Sequence, residues 1–356
     1  MILPTTASAV WIVAILALIC LGSWANMLKL AGKWRFEYFY CDLVLGLLLS
    51  AGVAALALGS AHPQDLTFQD NLLLTGYRKM VWALGSGIAL NLGTLLLLGA
   101  MTISGMSVAF PLSLGVALAI GTIWDLAGSA SANMALTFSG LALFLAAVAV
   151  TAFAHVWRRQ DYEAASETAL RPDPRLKPKR ARTPSAALAI ILAVAAGIVL
   201  GLFPQILGQA TSGENGMAPY SAALLLAAGA FFSAPVFVLF FATFPVAGAP
   251  ATVRGYLDGT KKQHFLGVAG GIVWTTGLLG GLMVSAAPAV AQFSAAPQYL
   301  LGHALNQAAL LVAAAWGLLV WREFRGTSTR VHMLIAAMLV LFLAGLGVVG
   351  FGFSTK

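Results

Sequence analysis

The stretch GSWANMLKLAGKWRFEYFYCD, residues 22–42, lies between two long apolar runs and concentrates charge in a chain that has little of it. Only 9% of the 356 residues are charged, whereas 60% are hydrophobic and the mean hydropathy is +0.89. Five charges fall within the stretch, at Lys29, Lys33, Arg35, Glu37 and Asp42. This alternation of an apolar run with a short charged break recurs along the chain. It indicates an integral membrane protein, because a helix needs about 20 apolar residues to cross a bilayer.

The apolar runs predict an all-α protein with ten transmembrane helices. Strand-length segments of alternating polarity are absent from the sequence, and lipid favours helices because they satisfy their own backbone polar groups. The predicted spans cover residues 8–28, 40–60, 80–101, 104–126, 134–156, 185–208, 218–247, 264–285, 297–321 and 331–352.

The basic residues are distributed unequally between alternate loops. Seventeen of the 20 Lys and Arg residues follow the first, fifth, seventh or ninth predicted span, and only Arg78, Lys79 and Lys356 fall on the other side. The positive-inside rule then predicts that both termini lie outside the cytoplasm. We expect a protein of the cytoplasmic (inner) membrane, surrounded by lipid, as a monomer or a homodimer.

The chain divides into two halves of five predicted spans each. Residues 1–157 hold the first five, residues 158–184 form a basic cytoplasmic linker, and residues 185–356 hold the last five. An odd number of spans per half gives the two halves opposite orientations in the membrane. The sequence therefore predicts two inverted five-helix repeats, the architecture of many secondary transporters, which bind substrate near the membrane midplane.

Two short sequence echoes support the repeat. GSWANML at residues 22–28 matches GLFPQIL at residues 201–207, which pairs Trp24 with Phe203 and Asn26 with Gln205. GIALNLG at residues 87–93 matches GIVWTTG at residues 271–277, which pairs Asn91 with Thr275. The echoes occur in the first and third helices of each half, so they fall at corresponding places.

Polar and aromatic residues inside the predicted spans are the candidates for substrate binding, because unpaired polar groups in lipid cost free energy. An amide, hydroxyls and an indole suit a neutral solute rich in hydrogen-bonding groups. The alternative is that these groups only join neighbouring helices. The candidates are Trp24, Asn26, Asn91, Gln205, Trp274, Thr275, Thr276, His303, Asn306 and Gln307.

Three of these candidates share one helical face, and two carboxylates are candidates for proton coupling. His303, Asn306 and Gln307 have i, i+3 and i+4 spacing, which directs them toward one side of the ninth span. Asp42 and Asp125 are the carboxylates closest to membrane depth. Either could relay a proton, or could only cap a helix or pair with a base.

Several function classes are excluded or disfavoured by the sequence. We expect no metal site and no disulfide, because Cys20 and Cys41 are isolated from other potential ligands. We expect no cofactor and no nucleic-acid partner, since the excess positive charge lies in the predicted cytoplasmic loops. No GxxxxGK[ST] motif for ATP occurs. A membrane-embedded enzyme is disfavoured because the five histidines are scattered along the chain.

The segment GSWANMLKLAGKWRFEYFYCDLVLG, residues 22–46, together with ten helices in two halves, resembles the drug/metabolite transporter superfamily. It looks most like the branch that contains glucose/ribose uptake permeases, rhamnose/proton symporters and ureide permeases. The resemblance implies uptake of a small polar solute, often driven by protons, with Trp24 and Asn26 in a shared first-helix motif.

The sequence thus predicts a secondary transporter that takes up a small neutral solute by alternating access, with proton coupling plausible. A sugar is the first choice of substrate. A ureide or nucleobase permease is the alternative, followed by an exporter of metabolites or drugs and, from another class, a non-transporting receptor.

Overall fold

The computed structural model describes residues 1–61, 66–128, 133–169, 185–293, 301 and 304–354, and these residues form helices joined by short loops. The helices are α1 (Ala7–Ser23), α2 (Asn26–Leu30), α3 (Phe36–Ala57), α4 (Phe68–Leu74), α5 (Tyr77–Ser104), α6 (Met106–Gly128), α7 (Met134–Ala169), α8 (Ala186–Thr211), α9 (Pro219–Thr243), α10 (Val253–Leu257), α11 (Lys261–Ser285), α12 (Leu305–Ala315) and α13 (Thr329–Ser354). A 3₁₀ turn at Pro288–Gln292 and a π-helical turn at Trp316–Val320 complete the described elements.

Eight helices in the described part of the chain are long and apolar enough to cross a membrane: α3, α5, α6, α7, α8, α9, α11 and α13. Two shorter apolar helices, Ala7–Ser23 and Gln307–Val320, lie where the first and ninth spans are predicted. The all-helical membrane fold is therefore confirmed, and the count of ten crossings stays a prediction.

The structure changes three of the predicted boundaries. The first span, 8–28, is interrupted, because α1 ends at Ser23 and α2 begins at Asn26. The seventh span, 218–247, ends earlier, at Thr243. Helix α7 continues past the predicted end at residue 156 as far as Ala169, so the predicted linker 158–184 begins as helix. Residues 170–184 lie outside the described residues.

The outer faces of the long helices carry exposed apolar side chains, as expected of surfaces in contact with lipid. Ile12 on α1, Val53 on α3, Phe232 on α9 and Val340 on α13 are each more than 60% exposed. Exposing so many apolar side chains to water would cost free energy, whereas contact with the hydrocarbon of lipid does not.

The basic loops meet at one end of the bundle, which we call the basic end and define by residues 24–35, 244–260 and 321–328. Lys29 forms an ion pair with Glu323, and the Arg35 guanidinium donates to the Ala249 carbonyl. At the opposite end, Lys79 Nζ donates to the Glu214 carbonyl at 2.6 Å. Loops predicted to share one side of the membrane are thus adjacent in the structure.

Two helix crossings fix the centre of the bundle, and the first joins α3 to α11. A Cβ atom on Gly271 would overlap the Leu43 carbonyl oxygen, so the two backbones touch. At the same crossing the Ser50 hydroxyl donates to Thr275 Oγ1 at 2.7 Å. Small residues and hydroxyl groups of this kind are what allow membrane helices to pack closely.

The second crossing joins α5 to α9 and has the same design. A Cβ atom on Gly87 would overlap the Leu226 carbonyl oxygen. Asn91 Nδ2 donates to Ser233 Oγ at 2.6 Å and to the Ala230 carbonyl at 3.0 Å. The echoed positions Asn91 and Thr275 therefore have the same structural role. Each forms a hydrogen bond with a serine on the helix that crosses its own helix.

Candidate functional site

A central cavity lies where helices of both halves meet, and it is lined mainly by apolar and aromatic side chains. It contains about 500 Å³ of space not occupied by protein atoms, its mouth included. The lining residues are Leu21, Trp24, Leu90, Thr94, Leu97, Phe110, Leu114, Leu200, Phe203, Trp274, Leu278 and Gln307. Three of the predicted substrate-binding residues, Trp24, Trp274 and Gln307, therefore line one cavity.

Two indole rings form one wall of the cavity. Trp24, directly after α1, stacks on Trp274 of α11 with ring centroids 5.0 Å apart and planes tilted by 20°. Both are nearly buried, at 3% and 4% exposure, and Phe110 of α6 lies 6.1 Å from the Trp24 ring centre. The stack joins the first half of the chain to the second, and both indoles line the cavity.

Gln307 supplies an amide to this apolar cavity. The residue lies in the first turn of α12 and is 4% exposed. Its Oε1 atom is buried and has no hydrogen-bond partner among the described residues. Thr94, which also lines the cavity, uses its hydroxyl to donate to the Leu90 carbonyl at 2.7 Å.

Asn91 and Thr275 lie at the two crossings and do not line the cavity. Asn91 Nδ2 is used by α9, while Asn91 Oδ1 is buried without a partner among the described residues. The Thr275 hydroxyl donates to the Gly271 carbonyl at 2.9 Å and accepts a hydrogen bond from the Ser50 hydroxyl. Their hydrogen bonds join helices, which is the alternative that the sequence left open.

Asn26, Gln205 and Thr276 also lie outside the cavity lining. Asn26 Oδ1 accepts from the Trp321 indole at 2.6 Å, and its Nδ2 donates to the Ser23 carbonyl at 2.9 Å. Gln205 is half-buried, two residues and thus about 200° around α8 from Phe203. Thr276 is exposed on the outer face of α11 and donates to its own helix at the Ile272 carbonyl.

The remaining predicted residues divide between undescribed positions and the end of a helix. His303 and the side chain of Asn306 lie outside the described residues, so their predicted roles are untested. Asp125 is partly exposed within the last turn of α6, which ends at Gly128. It lies about three helical turns along α6 from Leu114, the nearest cavity-lining residue of that helix.

Asp42 is the centre of a polar cluster at the basic end that the sequence did not reveal. The carboxylate is 3% exposed. Asp42 Oδ1 accepts from the Tyr256 hydroxyl at 2.6 Å, and Oδ2 lies 2.9 Å from His264 Nδ1. Trp34 covers the histidine edge-on, with ring centroids 5.3 Å apart. The cluster links α3 in the first half to α10 and α11 in the second.

Glu323 forms a second link at the basic end. Its carboxylate pairs with Lys29 and accepts the backbone N–H groups of Met106 and Ser107 at 2.8 and 2.7 Å. These N–H groups begin α6 and have no partner within that helix. Burial alone raises the pKa of Glu323, but Lys29 and the two N–H groups outweigh it and hold the pKa below its ordinary value. Glu323 therefore remains a carboxylate at neutral pH.

Four residues of the cavity or of the Asp42 cluster were not among the candidates predicted from the sequence. For two of them, a feature of the sequence could have identified them. Phe203 is the echo partner of Trp24, and the structure brings the two echoed aromatic positions to one cavity. Thr94 lies three residues, about one helical turn, after Asn91. No feature of the sequence marks His264 and Tyr256, because their interest lies in their contacts with Asp42, which is more than 200 residues away in the chain.

Comparison with known proteins gives consistent matches. The family model described as Ureide permease matches residues 39–177. Ureide permease 1 of Arabidopsis thaliana is 25% identical over 378 residues, covering 94% of each chain. Ureide permease 2 of the same plant is 24% identical over 386 residues, again covering 94% of each.

The chain is similar to ureide permeases. The similarity extends over nearly its whole length, and a third relative, Ureide permease 3, is 31% identical over 144 residues, or 40% of this chain. The long apolar helices and the permease relatives together support a membrane protein that transports a small solute rather than an enzyme. The expectation of a sugar is not supported by these relatives, whose names favour the ureide alternative.

Proposed function

We propose that this protein is a secondary transporter for a ureide or a chemically related small planar solute, which binds in the central cavity. The observation that carries the proposal is the Trp24–Trp274 stack, a flat apolar wall between the two halves of the chain. A ureide contains planar urea groups with several N–H and C=O groups, so the face of such a group suits the indoles. The relatives named as ureide permeases support this class of substrate.

Transport by alternating access requires two halves that move against each other, and the two crossings support such halves. Residues 1–157 and 185–356 are proposed to be inverted repeats joined by residues 158–184. Exchanging the halves converts the α3–α11 crossing into the α9–α5 crossing, and Ser50 with Thr275 into Ser233 with Asn91. Helix α1 likewise packs on α11 and α12, while α8 packs on α5 and α6. These equivalent contacts are expected of an inverted repeat.

The basic end is proposed to be the cytoplasmic gate. The Lys29–Glu323 pair and the Asp42 cluster each connect elements of opposite halves across this end. Opening toward the cytoplasm would have to separate them. Both termini would then lie outside the cytoplasmic membrane, which labelling of single cysteines introduced at the two ends of the bundle would test in intact cells.

The Asp42–His264 pair is proposed to couple transport to protons. When the gate opens, Asp42 loses its histidine and tyrosine partners, and an unpaired carboxylate in a membrane helix is strongly disfavoured. Taking up a proton removes that cost.

Other ionisable groups near Asp42 are accounted for by their own contacts. On α3, Glu37 is buried and pairs with Arg35 at 2.7 Å. Cys41 donates to the Glu37 carbonyl at 3.5 Å. On α10, burial and the bond to Asp42 raise the pKa of Tyr256, so it stays a donor. Asp125, the other predicted coupling residue, is the weaker candidate because it lies away from the gate contacts.

The proposed function is tested by uptake of a radiolabelled ureide into proteoliposomes, with and without an inward proton gradient. Wild-type protein should give saturable uptake, and Trp274→Ala should weaken uptake at low substrate concentration while the protein still reconstitutes. Trp124→Ala changes a half-exposed tryptophan near the end of α6 and is the matched control. Saturable uptake of sugars with no uptake of ureides would contradict the proposal.

A further inference from the structure

Gln307 is a buried residue whose amide oxygen has no hydrogen-bond partner in the described part of the protein. Its Oε1 atom is shielded and unpartnered, and the residue faces the cavity beside the stacked indoles. A primary amide has an oxygen that accepts and an NH₂ group that donates, both in one plane. Leaving such a group unpaired in an apolar place costs free energy, which a bound molecule with the matching groups recovers.

The rest of the cavity offers little competing polarity. Its walls are leucine, phenylalanine and tryptophan side chains, and the Thr94 hydroxyl is occupied by the Leu90 carbonyl. A polar solute held there finds two complementary features. Its faces contact aromatic rings, and one of its edges meets the Gln307 amide.

We infer that Gln307 is the specificity-determining residue and reads an N–H group adjacent to a C=O group on one edge of the solute. The glutamine oxygen accepts from that N–H, and its NH₂ donates to the neighbouring C=O, as two amides pair side by side. Cyclic ureides, hydantoins and pyrimidine bases carry this edge. A sugar ring presents separate hydroxyls that do not lie in one plane, so it does not match both amide positions at once.

This inference rests on the proposed function, because it requires the solute to bind in the central cavity. It goes further in assigning the discrimination to one side chain and one bonding pattern. The pattern predicts that replacing the N–H hydrogens of a ligand by methyl groups weakens binding, even though the flat ring and its carbonyl groups remain.

The test is binding of hydantoin and of 1,3-dimethylhydantoin to the purified full-length protein, measured by calorimetry and by thermal shift. Wild-type protein should bind hydantoin about tenfold or more tightly than the dimethyl compound, since one net hydrogen bond is worth roughly a factor of ten. Gln307→Leu should weaken hydantoin binding to the level of the dimethyl compound. Gln209→Leu makes the same chemical change at an exposed position of α8 and should keep the wild-type ratio.

The possible outcomes separate the two proposals. Equal affinity of the wild-type protein for both compounds, or unchanged discrimination in Gln307→Leu, would overturn the role of Gln307 and leave the transporter proposal standing. If wild-type protein bound no ureide, hydantoin or pyrimidine base at all, the proposed function would fail and the inference with it. If the Gln307 variant does not fold, equal affinity of the wild-type protein for the two compounds still overturns the inference.

Discussion

Adding one methyl group at either helix crossing should destabilise the protein, and the two effects should be alike. In Gly87→Ala the new Cβ would overlap the Leu226 carbonyl oxygen and lie 2.8 Å from the Ala230 nitrogen. In Gly271→Ala it would overlap the Leu43 carbonyl oxygen. These neighbours are backbone atoms that no rotamer change can move, so the helices must separate. Overpacking of this kind typically costs about 1–3 kcal/mol.

The assay is thermal unfolding of the detergent-purified variants, with Gly85→Ala as the matched control. Gly85 lies on the same helix as Gly87, and nothing lies within 4 Å of a Cβ built there. We expect the melting temperature to fall by several degrees for Gly87→Ala and Gly271→Ala. The control should be unchanged or slightly more stable, because alanine is the better helix former. Equal melting temperatures for Gly87→Ala and Gly85→Ala would refute the close crossing, and a large effect in only one half would refute the equivalence of the halves.

Three further predictions concern the cavity and the basic end. Trp274→Ala should raise the KM for a ureide roughly tenfold, because it removes one partner of an aromatic stack, as measured by uptake kinetics. Asp42→Asn should make uptake insensitive to an imposed pH gradient, whereas Asp258→Asn, at a 70% exposed carboxylate, should not. Glu323→Gln should lower stability by about 1–3 kcal/mol in thermal unfolding at neutral pH. Because the folded-state pKa of Glu323 lies below its ordinary value of 4.5, this contribution in the wild type is complete above that pH and is lost as the pH falls through the folded-state pKa.

The results that would contradict these predictions are distinct. An unchanged KM in Trp274→Ala would remove the indole stack from the binding site. Uptake by Asp42→Asn that still follows the pH gradient would exclude Asp42 as the coupling group. Glu323→Gln with wild-type stability would mean that the contacts to Lys29 and to the start of α6 contribute nothing measurable.

Much of the fold could be predicted from the sequence, because the length and polarity of apolar runs directly reflect the thickness of a bilayer. The positions of the eight long helices follow from this rule. The break after Ser23 within the first predicted span could not be foreseen, since Trp24 and Ala25, which separate the two helices, are not residues that break helices. It depends on Trp316 and Trp321, which donate to Ser23 and Asn26 from the far end of the chain.

The candidate site was only partly predictable. The sequence indicates how deep a residue lies in the membrane, but it does not indicate which neighbour its side chain faces. A polar or aromatic residue in the middle of an apolar run reveals its depth in the membrane. Whether it faces the cavity or a neighbouring helix depends on the packing of that neighbour. Trp24 and Trp274 face the cavity, whereas Asn91 and Thr275, at similar depth, face serines on crossing helices.

The echo between the halves predicted more than the individual residue choices did. Pairing Trp24 with Phe203 identified two positions that line the same cavity. Pairing Asn91 with Thr275 identified two positions that perform the same structural task. A repeat is informative because equivalent positions in the two halves have equivalent neighbours, which no single residue discloses.

The unequal lining of the cavity bears on the orientation of a bound molecule. A site with exact twofold symmetry would offer every solute two equivalent poses, related by half a turn, and could not distinguish one end of the solute from the other. Here the cavity has an indole at Trp24 and a phenyl ring at the echoed position, Phe203, and Gln307 adds an amide whose oxygen is unpartnered among the described residues. Divergence at these positions removes the degeneracy, so the proposed site would hold a solute without internal symmetry in a single orientation.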